Sequence, residues 1–186
     1  MKRYIFLIVL PLAALLAAFK PKSPVSFTID PAKSTVKWTG YAEVGKYAPT
    51  GIIKVKSGAL MADGTTLAAG KVTIDMQSLN QSNKEMETHL RGSDFFDCEK
   101  FPEAVFVITS VKGNIATGNV TIKGITNQIS FPVTIAKNPD GYFVKALVKI
   151  DRTKFAIKYN SKSYFQDPGN YAIKNEFDVE VSLYCN

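Results

Sequence analysis

From Phe27 onward the apolar and polar residues of the chain alternate with a period of two. In TVKWTGY, residues 35–41, Val36 and Trp38 fall on one face and Lys37 and Thr39 on the other; in FDVEVSLY, residues 177–184, Phe177, Val179, Val181 and Leu183 oppose Asp178, Glu180 and Ser182. This is the pattern of half-buried antiparallel strands. Comparable segments recur at 51–57, 71–76, 104–111, 119–123, 128–136 and 142–150, separated by turn residues such as Ala62-Asp63-Gly64 and Asn138-Pro139-Asp140-Gly141. Serial hairpins of about eight strands predict an all-β barrel or sandwich. Pro132 cannot donate to a ladder and is expected at an edge or a bulge. Two stretches depart from the pattern. SNKEMETHL, beginning at Ser82, offers Ser82 as an N-cap with Glu85 three residues on, which predicts a short helix near residues 82–91. The connection from Arg152 to Ala172 contains Pro168-Gly169 and is long for a compact β domain, the kind of segment that forms lids or binding loops.

A chain of 186 residues with 46% hydrophobic side chains fits a single domain, expected over residues 24–186. Ahead of it, Lys2 and Arg3 precede an apolar run from Tyr4 to Phe19 that contains Pro11 and ends in small residues. Residues 1–19 therefore read as a cleaved signal peptide, which places the protein in the periplasm or outside the cell; an uncleaved membrane anchor is the alternative. The formal net charge of +7, part of it in Lys2 and Arg3, comes from lysines scattered singly along alternating segments, such as Lys54, Lys56, Lys145 and Lys149. That distribution marks solvated strand faces, not a nucleic-acid-binding stripe, and leaves room for transient contact with a membrane surface. Cys98 and Cys185 have no C-x-x-C spacing, and whether they pair stays open.

The densest chemistry lies in THLRGSDFFDCEKFPEAVF, residues 88–106, which holds His89, the only histidine. A serine hydrolase needs a base for its nucleophile, and no G-x-S-x-G elbow accompanies this imidazole. Asp94, Asp97, Glu99 and Glu103 offer carboxylates without selecting a catalytic pair, and one histidine with two distant thiols does not make a zinc site. P-loop, dinucleotide and H-E-x-x-H motifs are absent. The segment reads as a structural clamp: His89 ends a helix, where an imidazolium suits the dipole, Asp94 and Asp97 form turns, and Phe95 and Phe96 divide between the core and an opening. The expectation is no enzyme, no catalytic residue and no metal. Large aromatics are spread over nearly every segment, and AVFVITSV and YFVKALVKI are apolar on both faces. Such strands suit a filled barrel and a ligand cavity equally.

The motifs also match as a set. HLRGSDFFDCEKFPEAVF resembles the H-L-[KR]-s-x-D-F-F-[DN]-x-x-x-[FY]-P-x-x-x-F signature of the YceI-like family of exported, lipocalin-like, polyisoprenoid-binding proteins. GNVTIKGITNQISFPV resembles that family's G-x-L-T-[IL]-[KR]-G-[VI]-T hairpin, DRTKFAIKY its R-x-x-[FY]-G-I segment, and FTIDPAKSTVKWTG its first hairpin. Ala156 stands where the family usually has glycine. The resemblance implies an extended antiparallel barrel with a short helix near one end, no cofactor, and an isoprenoid lipid or isoprenoid quinone as bound ligand; a homodimer is compatible with it. Combined with strand alternation, it points to Trp38, Phe106, Phe143 and Phe155 as cavity residues and to Phe95 or Phe96 as a gate. Charge places Arg91, Arg152 or Lys158 beside a polar head group. The alternative is an exported stress-response or protein-interaction module whose barrel is filled.

Overall fold

The structure, a computed structural model, describes residues 23–165 and 169–186. The expected signal peptide at 1–19 lies outside the described residues. The strands are β1 (Val25–Thr28), β2 (Thr35–Thr39), β3 (Thr50–Asp63), β4 (Thr66–Asp75), β5 (Glu103–Lys112), β6 (Ile115–Ile122), β7 (Ile125–Asn138), β8 (Gly141–Asp151) and β9 (Glu176–Cys185), with one α-helix, α1 (Lys84–Arg91). All pairings are antiparallel, in the order β1-β3-β2-β9-β8-β7-β6-β5-β4, and the additional β3–β4 ladder joins the ends. β2 to β9 thus close into an eight-stranded barrel, as the alternation predicts.

β1 prolongs the place of β2 in the wall, between β3 and the end of β9, where Ile29 bridges Cys185 and Thr28 exchanges backbone hydrogen bonds with Asn186, and it corrects one expectation. The segment containing β1 and β2 is not a hairpin: both strands pair with β3, β1 along Ala59–Ala62 and β2 along Thr50–Ile53. Asp30 turns the chain between them, its side chain accepting from Ala32 N–H at 2.9 Å. Pro132 stands at a local edge, since the β7–β8 ladder ends at Val133 and residues Ile125–Pro132 are paired to β6 alone. It is the last β7 residue paired to β6, and Val133 is the first paired to β8, so its missing N–H coincides with a change of partner.

Alternation sets the interior. Ala116, Gly118, Val120 and Ile122 of β6 and Tyr142, Val144, Val148 and Ile150 of β8 are buried, while Lys145 and Lys149 of β8 point out. Gly118 is required by a close approach: a Cβ there would lie 2.6 Å from the Phe106 ring and 2.4 Å from the Val107 carbonyl oxygen. The missing side chain is what lets the Phe106 ring lie flat along the wall.

The helix begins one residue later than the capping pattern suggested. Asn83, not Ser82, is the N-cap, its Oδ1 accepting from the N–H groups of Glu85 and Met86 at 3.0 and 3.1 Å. Glu87 reaches back to the N–H of Gln81 at 2.9 Å, which with Lys84 holds its carboxyl below the usual range. α1 and the loop after it cover the barrel end at which β4 finishes and β5 begins.

After β8 a 3₁₀ turn, Arg152–Phe155, ends at Ala156 in the left-handed conformation, φ 59°. A side chain there is strained by roughly 1–2 kcal/mol, which gives a physical reason for glycine at this position. Ala156→Gly should raise the denaturation midpoint by the equivalent of about 0.5–1 kcal/mol, the strain relief less glycine's extra unfolded-state entropy. A lower midpoint would show that Ala156 is not strained.

Candidate functional site

The barrel interior holds a cavity of about 470 Å³, within the roughly 300–1,000 Å³ typical of ligand sites. Its lining runs from Phe177 to Leu183 of β9, roughly 20 Å along the strand at about 3.3 Å per residue. Its walls are almost wholly apolar; the charged or titratable contributors are Arg152, Lys174, Glu176, His89 and the tyrosine hydroxyls, with Asn160 the neutral polar one. The mouth lies at the helix end. There the segment 40–49 and the connection after β8 meet, Ala42 bridging Ile173 and Glu43 N–H donating to Ala172 O at 2.8 Å. Tyr47 and Tyr171 line the cavity while also exposed to solvent.

Of the residues singled out by pattern, Trp38, Phe95, Phe96 and Phe106 line this cavity. Trp38 faces inward beside Val36, and its ring covers Gly51, the residue opposite it on β3. Its Nε1 is buried without a partner. Phe106 packs on Phe131 with ring centroids 5.2 Å apart. Phe95, 6% exposed, sits between His89 and Tyr159 at 5.1 and 5.3 Å, and Phe96 meets Phe177 edge-on at 6.2 Å. Asp97 in the left-handed region and the bonds Asp97 N–H to Gly92 O and Cys98 N–H to Arg91 O fix the loop that presents both rings.

Four of the assigned residues do not belong where charge and pattern put them. Phe143 is on the outer face, stacked on Tyr184 at 4.6 Å with the Lys145 ammonium over its ring, because Tyr142 and Val144 take the inward positions of β8. Phe155 is core, 1% exposed, and does not reach the cavity, since the 3₁₀ turn takes the chain out of the barrel wall before it. Arg91 lies on the exposed side of α1, away from the lining. Lys158 is exposed, its ammonium 4.4 Å from the Tyr164 ring centre, and likewise outside the lining.

Arg152 is in the cavity wall, not on an open rim. It is 4% exposed and donates to the carbonyls of Ile157, Ile173 and Lys174, each at 3.0 Å. Burial lowers its pKa without a carboxylate hydrogen-bonded to it. The residue thereby ties the long connection to the end of β8. Pattern gave no hint of this, whereas Tyr159 and Tyr171, also missed, stand in the connection marked as irregular, and Tyr47 lies between two predicted strands.

His89 packs edge-on against Tyr159 at 4.5 Å, and its Nε2 is 3.9 Å from an exposed Asp94 carboxylate. Glu103 is bound to Lys56 on the barrel exterior at 2.6 Å. Cys98 and Cys185 are unpaired and buried, and burial pushes each thiol up to about 11. Among the described residues no cluster of three or more His, Cys, Asp or Glu is placed to hold a metal, and no helix is long and apolar enough to cross a membrane.

A closed antiparallel barrel of eight strands around an apolar cavity is the lipocalin-like architecture. The model of the YceI-like domain family matches residues 27–185, and the chain belongs to that family. A UPF0312 protein of Staphylococcus aureus strain USA300 is 38% identical over 105 residues, an alignment covering 53% of the chain and 61% of that protein. The chain thus spans about six-tenths of the length of the curated relatives it matches. BcnA of Burkholderia cenocepacia superposes with TM-score 0.69 at 25% identity, covering 83% of the chain and 98% of BcnA. A polyisoprenoid-binding domain from Saccharophagus degradans superposes at 0.65 with 10% identity, covering 86% and 97%, a likeness of fold.

Two predictions arise from this geometry. Tyr41 donates to Asp178 Oδ2 at 2.6 Å and Lys149 to Oδ1 at 2.9 Å, pinning the mouth to β9 and β8. The phenol bond first, then the ammonium, lowers the Asp178 pKa. A depressed carboxylate contributes stability above its unfolded pKa, about 4, and loses it as pH falls through the folded value. Asp178→Asn should therefore flatten the decline in thermal midpoint below about pH 4; an unchanged decline would remove this bond from the stability of the mouth. The second concerns the paired rings. Phe95→Ala should cost about 3–5 kcal/mol, while Phe96→Ala, only half-buried beside Phe177, should cost less and speed release of a bound hydrophobic probe. Denaturant midpoints and dissociation rates read both; two neutral variants would make the stretch a surface loop.

Proposed function

We propose that the protein is an exported binding protein that holds an isoprenoid chain or similar amphiphile in its barrel, as carrier, store or sequestering agent. The observation carrying this reading is the long apolar cavity open at the helix end. It favours a ligand over a filled interaction module, because a filled barrel of this strand number leaves no such space. Each CH₂ moved from water into the cavity contributes about 0.8 kcal/mol, so a branched hydrocarbon chain binds through burial alone. The structural neighbour from Saccharophagus degradans described as a polyisoprenoid-binding domain supports the same ligand class. Export rests on the sequence of residues 1–19.

The polar end of the ligand belongs near the mouth. A guanidinium has five N–H donors, and Arg152 commits three of them, one on each nitrogen, to backbone carbonyls. Its two remaining N–H donors suit a head group rich in oxygen acceptors, whether a quinone carbonyl or a phosphate.

Native mass spectrometry of protein purified from its own host without detergent should show a co-purified isoprenoid-class lipid. Ala146 is a small lining residue of β8; Ala146→Phe should reduce lipid occupancy severalfold with little change in melting temperature, since it fills space already empty. Phe143→Ala, on the outer face, should leave occupancy unchanged. A barrel that carries no lipid, takes up no isoprenoid alcohol in vitro and is destabilised by Ala146→Phe is a filled barrel, and the reading fails.

A further inference from the structure

Among the described residues, five of the thirteen exposed large apolar side chains, including the two most exposed, stand beside the cavity mouth, while the other eight are scattered over the strands. Tyr171 is 81% exposed and Tyr47 62%, and both also line the cavity; Val44, Tyr164 and Phe165, each about half exposed, stand on the same two segments. Those segments form one surface. Ala42 N–H donates to Tyr47 O, Lys174 N–H to Tyr41 O, Ile173 N–H to Asn160 O, and Tyr164 and Phe165 N–H both to Ser161 O, all between 2.9 and 3.0 Å. Within residues 41–47 and 157–174 the sequence has Lys46, Lys158, Lys162 and Lys174 against Glu43 and Asp167. The four lysines are exposed, and Lys162 lies at 4.0 Å from the Glu43 carboxylate.

Nothing in the barrel's own stability calls for this arrangement. Solvated tyrosine and phenylalanine rings that cover no core contribute little to folding, and a contiguous exposed apolar patch marks an interaction site. Aromatic rings with polar tips interleaved with lysines are the composition of protein surfaces that sit at a lipid head-group layer, the rings at the level of the glycerol region and the ammonium groups among anionic phosphates. The patch flanks the aperture, whose other side is formed by α1 and the Phe95–Phe96 loop, so a flat layer seated on it would lie beside the cavity opening.

We propose that the mouth loops dock the protein on an anionic lipid bilayer, with Tyr47, Tyr164, Phe165 and Tyr171 entering the head-group region and Lys46, Lys158, Lys162 and Lys174 engaging lipid phosphates. Its purpose rests on the reading of the cavity as a site for a membrane-derived amphiphile, because docking in this orientation lets an apolar chain pass between bilayer and barrel without crossing water. Its test does not depend on that reading, since vesicle binding is measured separately from lipid retention.

The test places a fluorophore at the patch. In a Trp38→Phe background, Tyr171→Trp gives the full-length chain one tryptophan, at the mouth. Vesicles of phosphatidylcholine with 30% phosphatidylglycerol, some with brominated acyl chains, should shift its emission to the blue and quench it, and about 0.5 M salt should largely abolish both through screening. Lys46→Gln with Lys162→Gln should weaken binding about tenfold or more and leave lipid occupancy in native mass spectrometry unchanged. Tyr47→Ser with Phe165→Ser should weaken binding further; any contribution from the apolar residues 4–19 is common to all these chains. The proposal is overturned if the tryptophan is neither shifted nor quenched, or if pure phosphatidylcholine vesicles give the same signal. It is equally overturned if sedimentation shows a dimer that the Tyr47→Ser, Phe165→Ser variant dissociates, for then a second copy covers the patch. Failure of vesicle binding with lipid still co-purified removes the docking surface alone; loss of lipid with vesicle binding intact removes the cavity reading alone.

Discussion

Closure of the sheet is the constraint from which the rest follows. β3 makes it possible: along one edge it pairs with β2 and β1 in succession, and along the other with β4 from Lys54 to Asp63. Once that last ladder forms, every cylinder strand has two neighbours, although β7 before Val133 and β8 after Ala146 part from each other toward the helix end. Every inward side chain must then be satisfied by other inward side chains or by a guest. The polar inward atoms gather near the mouth, where Arg152 donates to three loop carbonyls and the Asn160 carbonyl accepts from Ile173 N–H, and the remainder of the interior is almost wholly apolar.

The space inside is a consequence of small residues at particular wall positions. Gly118, Ala116, Ala146 and Gly51 stand where larger side chains would meet across the barrel, and aromatic rings lie down over two of these, Phe106 over Gly118 and Trp38 over Gly51. A ring laid along the wall shields the backbone yet projects less into the lumen than one pointing at the axis. Aromatics here set the shape of the cavity as much as they fill it, which resolves the ambiguity left by counting phenylalanines.

How much of this was legible in the sequence depends on how regular the backbone is. Where strands run without interruption, the period of two located Trp38 and Phe106 correctly, and the FF pair in its turn-rich segment signalled two rings at one end of the barrel. For Phe143 the deciding signal was present: Lys145 and Lys149 share its parity, and two lysines cannot face a hydrocarbon interior unpaired. Phe155 and Arg152 were beyond reach, because alternation has no meaning once the chain enters a 3₁₀ turn, and a cation's sign does not reveal that backbone carbonyls will claim it. The first hairpin was misjudged for a related reason. Periodicity identifies strands but not their partners, and β1 and β2 share β3 end to end instead of pairing with each other.

The two ends of the barrel divide the labour. At one end tight connections at 63–66, 112–115 and 138–141 leave the chain little freedom, with Gly64, Gly113 and Gly141 at positive φ to make the turns. At the other end stand the helix, the Phe95–Phe96 loop, the segment 40–49 and the connection after β8, held by discrete contacts such as Tyr41 to Asp178 and Arg152 to three carbonyls. Ladder bonds in the wall open together or not at all, whereas these tethers can open singly. Any guest must therefore enter and leave through the tethered end. Arg152 stands at the meeting of both demands, since the carbonyls that keep its buried charge solvated are the same ones that hold the connection shaping the mouth.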